Sequence, residues 1–230
     1  MIKCVLPDKL ERIENAAFYN TSLTGTLLLP EGLKYVSGFA HTKITNVDFP
    51  STLEEIGDDA FYDTSSLMCE ISLPASLKSI GGSAFSASAI RGNLVLPDNL
   101  ETIGHWAFRF CLNLTGSLVI PDKITSIQYG PFSYCGFNGT LTLPKGLVEI
   151  NSEAFEGTPF KGELNIPKSV TIIGTRSFAY TTFNGTLVLP SGLISLDTDA
   201  FRGCWRLSGI VEVPEDIIVI PSNLFLDCTG

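Results

Sequence analysis

Six cysteines and two histidines carry the most reactive side chains of this chain, and their spacing decides what chemistry they could do. Zinc and dithiol redox sites need close pairs, and no C-x-x-C pair occurs. Cys111, Cys135, Cys204 and Cys228 instead each lie fourteen residues after a proline. Elsewhere that slot holds Thr21, Thr64, Ser88, Thr158 and Thr181, so it asks for a small side chain, and cysteine serves as a compact buried one. Cys111 would lie one period from Cys135, and Cys204 one period from Cys228. Side chains stacked in parallel suit disulfide geometry poorly, so free, buried thiols are expected. His41 and His105 fall at different frame positions, and neither pairs with a nucleophile as a general base would. Gly81-Gly82 lacks the strand–helix setting of a phosphate loop. No catalytic site, metal or cofactor is therefore expected. Acceptor patterns for N-glycosylation begin at Asn20, Asn113, Asn138 and Asn184.

Four cysteines in one slot imply an internal repeat. Its frame is set by Pro7, Pro30, Pro50, Pro74, Pro97, Pro121, Pro144, Pro167, Pro190 and Pro214, mostly 23 or 24 residues apart. One residue before each proline is apolar, from Leu6 to Val213, and so is the third before it, from Leu27 to Val211. This period-two alternation predicts a half-buried strand that the proline ends. Glycine five before proline, as in Asn138-Gly139 and Asn184-Gly185, supplies the turn into it. After proline, an aliphatic residue falls at the third position, isoleucine in eight copies at the sixth, and phenylalanine in nine copies at the eleventh. That segment predicts a second short strand followed by a helical or 3₁₀ turn.

One such unit buries too little apolar surface to offset the entropy of ordering it. Stacked units bury their edges against one another and pair strands between rungs. Residues 1–230 thus read as a single domain of about ten 23-residue repeats. The chain begins within a repeat and stops where the next strand is due, without polar caps, so a longer protein or ends covered by partners is expected. The net charge of −9 argues against nucleic acid as a partner. Apolar runs are too short to insert in a membrane, and the start "MIKCVLPDKL" shows no signal peptide.

The pattern G-x-L-x-L-P-x-x-L-x-x-I-G-x-x-A-F, often followed by cysteine and clearest in "LVLPDNLETIGHWAFRFC" (Leu94 to Cys111), resembles the BspA-type leucine-rich repeat family. The resemblance covers nearly the whole chain. It implies a right-handed repeat solenoid with a parallel β-sheet on the concave face and short strands with 3₁₀ or helical turns on the other side. It also implies a cell-surface or secreted protein of a bacterium or protozoan, with adhesins that bind host proteins among its relatives. The matching residues are core residues, so fold follows from them more directly than function.

Residues where the copies differ carry the functional expectation. Second or fourth before proline, on the outward face of the predicted strand, stand Asp48, Glu70, Val95, Val119, Thr142, Asn165 and Val188. They are the candidate binding residues, with Val95 and Val119 adjacent apolar residues among polar ones. β-Propensity alone also accounts for exposed valines. A second candidate is aromatic: Phe110, Tyr134 and Tyr180, thirteen after proline, with Trp106, Arg109, Tyr129 and Trp205 nearby. Packing between successive loops would explain it equally well. The copy from Pro30 to Pro50 is three residues short and brings Phe39 two places early, which predicts a local kink.

The sequence therefore reads as a non-enzymatic solenoid whose exposed face binds a protein, such as a host extracellular protein. Carbohydrate binding along the aromatic flank and a structural spacer are the alternatives. The oligomeric state is left open.

Overall fold

The computed structural model describes residues 5–230. Cys4 and the first residues of the first repeat lie outside them. The chain is a solenoid of parallel strands, every rung built on the proline frame. The carbonyl of each of the ten frame prolines accepts the N–H of the residue three later, from Leu10 to Pro7 at 3.1 Å through to Ile217 to Pro214 at 3.0 Å. Proline presets φ for that tight turn and removes a donor the incoming strand does not need.

Both predicted strands form, but their ranking is reversed. The short strand after proline makes the longer ladders. Arg12–Ile13, Tyr35–Val36, Glu55–Ile56, Ser79–Ile80 and Thr102–Ile103 form one parallel sheet, and Ser126–Ile127, Glu149–Ile150, Ile172–Ile173 and Ser195–Leu196 another. The strand before proline pairs only in patches, such as Thr24–Leu28 with Lys43–Asp48 and Leu118–Val119 with Leu141–Thr142. The physical reason lies in the flanks. The strand after proline keeps a constant spacing to the turn ahead of it, whereas the one-residue changes in repeat length fall in the loop that leads into the strand before proline; only the short second copy also loses two residues after Val36. The two long ladders break between Thr102–Ile103 and Ser126–Ile127, yet the rungs stay in contact there, with Phe108 N–H donating to the Pro131 carbonyl at 2.8 Å and Phe108 stacked on Phe132 at 5.6 Å.

The expected helical or 3₁₀ turn is absent among the described residues. A run of β-turns replaces it, with left-handed residues nine and thirteen after proline. In the copy on Pro97 these are Trp106 (φ 55°) and Phe110 (φ 60°), and in the copy on Pro167 Arg176 (φ 55°) and Tyr180 (φ 58°). The short second copy uses Gly38 and His41 instead. Positive φ disfavours side chains, and the conformation is held by a third ladder that the strand patterns did not show. The N–H groups nine, eleven and thirteen after proline donate to carbonyls of the next rung: Asp59 to Gly82 (2.9 Å), Phe61 to Ala84 (2.7 Å) and Asp63 to Ser86 (2.9 Å). Alternating backbone twist aims the donors one way along the axis and the acceptors the other, so the turns stack as regularly as strands.

The core consists of side-chain columns. Phenylalanines eleven after proline, joined by Phe39 nine after Pro30, stack from Phe18 to Phe225 with centroids 4.9 to 5.8 Å apart. Phe137, Phe160 and Phe183 form a second column that meets the first edge-on. Leucines three after proline and isoleucines six after it are buried in the inner rungs.

Candidate functional surface

Strand parity places the predicted binding residues. Asp48, Glu70, Val95, Val119, Thr142, Asn165 and Val188 are all exposed, because the residues alternating with them, such as Leu94 and Leu118, fill the core. Val95 and Val119 are 67% and 58% exposed on adjacent rungs. Val119 sits beside Thr142 in the parallel register of their strands. Asp48 and Glu70 line one groove of about 470 Å³ together with Asn46 and Ser72. Asn165 and Val188 line another, of about 570 Å³, whose rims are Glu163 and Lys168. Thus the row divides into an acidic end, an apolar middle and a mixed groove.

The stacked turns form the second surface. Arg109 lies over the Phe110 ring at 4.6 Å and over Trp106 at 5.9 Å. Trp106 meets Tyr129 edge-on, and Phe110 stacks on Tyr134 with centroids 5.3 Å apart. These rings therefore pack between loops while their edges reach solvent. Glycine provides the room: a Cβ on Gly157 would lie 2.5 Å from the Tyr134 ring, and Gly203 relates to Tyr180 in the same way. Charged partners that the sequence did not single out join this flank. Tyr129 donates to Glu153, Arg176 stands 3.4 Å from buried Glu156, and Arg202 stands 3.6 Å from Asp199. Burial pushes the Glu156 carboxyl up, against the opposing pull of the Tyr134 hydroxyl and Arg176. Trp205 stands apart with Arg206 over its ring at 4.4 Å.

The reactive side chains have structural partners. The five described cysteines are free, and four donate S–H to the phenylalanine carbonyl of the preceding rung: Cys111 to Phe85, Cys135 to Phe108, Cys204 to Phe178 and Cys228 to Phe201, at 3.0–3.1 Å. Thr158 does the same to Phe132 at 2.6 Å, whereas Thr64 and Thr181 turn to Phe61 and Phe178 within their own rungs. The slot asks for a small donor, not merely a small side chain. Its occupants Thr, Ser and Cys all carry one, which was the available signal. Burial pushes the Cys111 thiol up to about 12 and Cys135 higher than usual as well. His41 pairs with Asp63 at 3.0 Å between the edges of Tyr19 and Tyr62. His105 accepts the Tyr129 N–H at 3.3 Å. Among the described residues no His, Cys, Asp or Glu cluster is arranged to hold a metal, and no helix is long and apolar enough to cross a membrane.

Compared with known families, the sequence matches the BspA type leucine-rich repeat region in six copies, over residues 1–115, 36–156 and 111–230. The chain belongs to the BspA-type leucine-rich repeat family. No curated protein is significantly similar to it in sequence. Among solved structures, a leucine-rich repeat protein from Bacteroides ovatus ATCC 8483 matches 95% of this chain with a TM-score of 0.79 at 24% identity. The match spans 57% of that protein's own length. A leucine-rich repeat protein of T. pallidum is 28% identical, with a TM-score of 0.55 over 78% of this chain and 76% of its own. A leucine rich cell surface protein from Faecalibacterium prausnitzii A2-165 is 21% identical, with a TM-score of 0.55 over 93% of this chain and 62% of its own. In this BspA-type solenoid the family pattern corresponds to the prolines, the core columns and the donor slot. The exposed rows are where its rungs differ.

Proposed function

We propose that this solenoid is a non-enzymatic, adhesin-like module that binds a protein partner at a cell surface, through the row before the prolines. One observation carries the reading: Val95 and Val119 lie exposed on successive rungs whose backbone is held by core columns on the other side. A contact built there orders little new structure, so less entropy is lost on association. The acidic end, Asp48 and Glu70, gives orientation to a basic partner surface. The family and the similarity to a bacterial cell-surface protein support the location. Carbohydrate binding draws less support, because Phe110 and Tyr134 turn their ring faces toward each other and leave edges for a ligand.

The test is a pull-down against a panel of host extracellular proteins, run beside a glycan array. The expected result is capture of a protein by the wild type and at least tenfold weaker capture by Val95→Asp/Val119→Asp, with unfolding unchanged. Glycan binding abolished by Trp106→Ala, without protein capture, would replace this reading.

A further inference from the structure

Two side-chain rows, second and fourth after each proline, share one outer face of the solenoid. A groove of about 400 Å³ shows this, since it is lined by Thr52, Ser76 and Asn99 from one row and by Glu54, Lys78 and Glu101 from the other. Over these rungs the face is charged and satisfies itself: Lys78 meets Glu54 at 2.6 Å, and Lys123 meets Glu101 at 3.5 Å. Past Lys123 its character changes. The fourth position becomes Thr125, Val148, Thr171 and Ile194, with Val148 40% and Ile194 76% exposed. The Thr171 hydroxyl is taken up by the Val148 carbonyl at 3.4 Å. The second position becomes Gly146, Ser169 and Gly192. Neither glycine has the positive φ that would require it, and a Cβ on either would meet nothing within 4 Å. The fold does not ask for glycine there, whereas the close approach of another surface does.

The strip is also self-complementary. Its second-position row reads Lys123, Gly146, Ser169, Gly192, Asp216. Turned end for end about Ser169, it sets Lys123 against Asp216 and glycine against glycine. The same rotation sets Val148 against Ile194 and Thr171 against its own counterpart. We propose that two copies of this chain dimerise antiparallel through this strip, about a twofold axis at Ser169 and Thr171. A second copy is the occupant because the strip is its own complement in charge and in shape. Lys123 and Asp216 lie on the side of the solenoid, so the contact involves neither of its end faces. The backbone beneath is already ordered. The N–H groups of Val148, Thr171 and Ile194 donate to the carbonyls of Thr125, Val148 and Thr171 at 2.8–2.9 Å, so docking orders side chains alone. At about 4.8 Å per rung, the strip from Lys123 to Asp216 is about 19 Å long, which places the contact among weak, transient interfaces. It uses none of the residues before the prolines, so it stands independently of the binding proposed for that row.

Sedimentation equilibrium of the 230-residue chain tests this. The expected result is a mass that rises with concentration from one chain to two and stops there. Gly146→Arg/Gly192→Arg, which the open space around both glycines admits, is expected to remain a single chain with wild-type unfolding. Lys123→Asp sets aspartate against Asp216 and is expected to weaken dimerisation about tenfold. Lys123→Asp/Asp216→Lys is expected to restore it. Urea unfolding checks the fold of each variant. Should the charge variants be destabilised through the Glu101 contact, the glycine variant decides the matter. A wild type that stays a single chain up to its solubility limit overturns the proposal. So does growth past the dimer, dimerisation undiminished in the glycine variant, or a folded charge-swapped variant that fails to recover.

Discussion

Phe85 and Phe108 lie face to face on adjacent rungs, their centroids 5.3 Å apart and their planes 6° from parallel. Each also has a like neighbour on its other side, Phe61 and Phe132. The rungs are thus joined twice at this point, by rings in the core and by the N–H of Phe85 on the carbonyl of Ala107 at 2.7 Å. A solenoid held this way transmits the loss of one ring to both neighbours.

Phe108→Ala is expected to cost about 3–5 kcal/mol, as for other fully buried aromatic side chains. Phe225→Ala, at the end of the column, should cost less. Urea denaturation of both variants measures the difference, and equal losses would contradict the column as the source of stability.

Left-handed positions outside glycine hold unrelieved strain. Ala16 and Ala87 have φ of 59° and 56°, and glycine at either place is expected to raise stability by about 1 kcal/mol, the lower estimate of the left-handed penalty. Gly157→Ala should act the other way, since the new methyl meets both strain and the Tyr134 ring. Thermal unfolding of the three variants gives the signs directly.

The donor slot predicts a chemical discrimination. Cys111→Ser keeps a donor for the Phe85 carbonyl, whereas Cys111→Val leaves it bare, at a cost of about 1–3 kcal/mol. The wild-type Cys111 and Cys135 thiols are expected to resist alkylation until the chain unfolds, because burial raises both. Half-exposed Cys69 and Cys228 should react first. Mass spectrometry of a timed alkylation reads the order.

Glu156 makes stability depend on pH. Burial holds its carboxyl above the usual carboxylate value in the folded chain, so folded molecules keep a proton that unfolded ones have already lost. Its contribution therefore falls as pH rises from the usual carboxylate value through the raised folded one, and levels off beyond. Glu156→Gln is expected to be more stable than wild type at neutral pH, with the gap closing toward acid. Urea midpoints across that range check the trend, and a wild type more stable at neutral pH would contradict it.

What the sequence made legible follows from what repeats. Prolines, aliphatic slots and Phe108-type positions recur because every rung needs the same core, and the structure buries them accordingly. The third ladder stayed hidden because its left-handed positions share no side chain: Trp106, Glu153, Arg176 and Asp199 all occupy the ninth place. Glycine at 130, 157 and 203 was the faint sign. Alternation marked only the strand before proline, so it gave no sign that the two-residue strand after proline makes the longer ladders. Exposure of Val95 and Val188 was readable from parity alone. The arginine and glutamate partners on the aromatic flank were not, because their pairing runs between rungs and depends on how the turns stack.

Hydrogen exchange of the chain with and without a captured protein partner tests the central claim most directly. The account predicts slowed exchange in the segments around Val95, Val119 and Thr142, with the turn ladder unchanged. Slowing confined to the Trp106–Tyr134 flank, or spread evenly over all rungs, would contradict it.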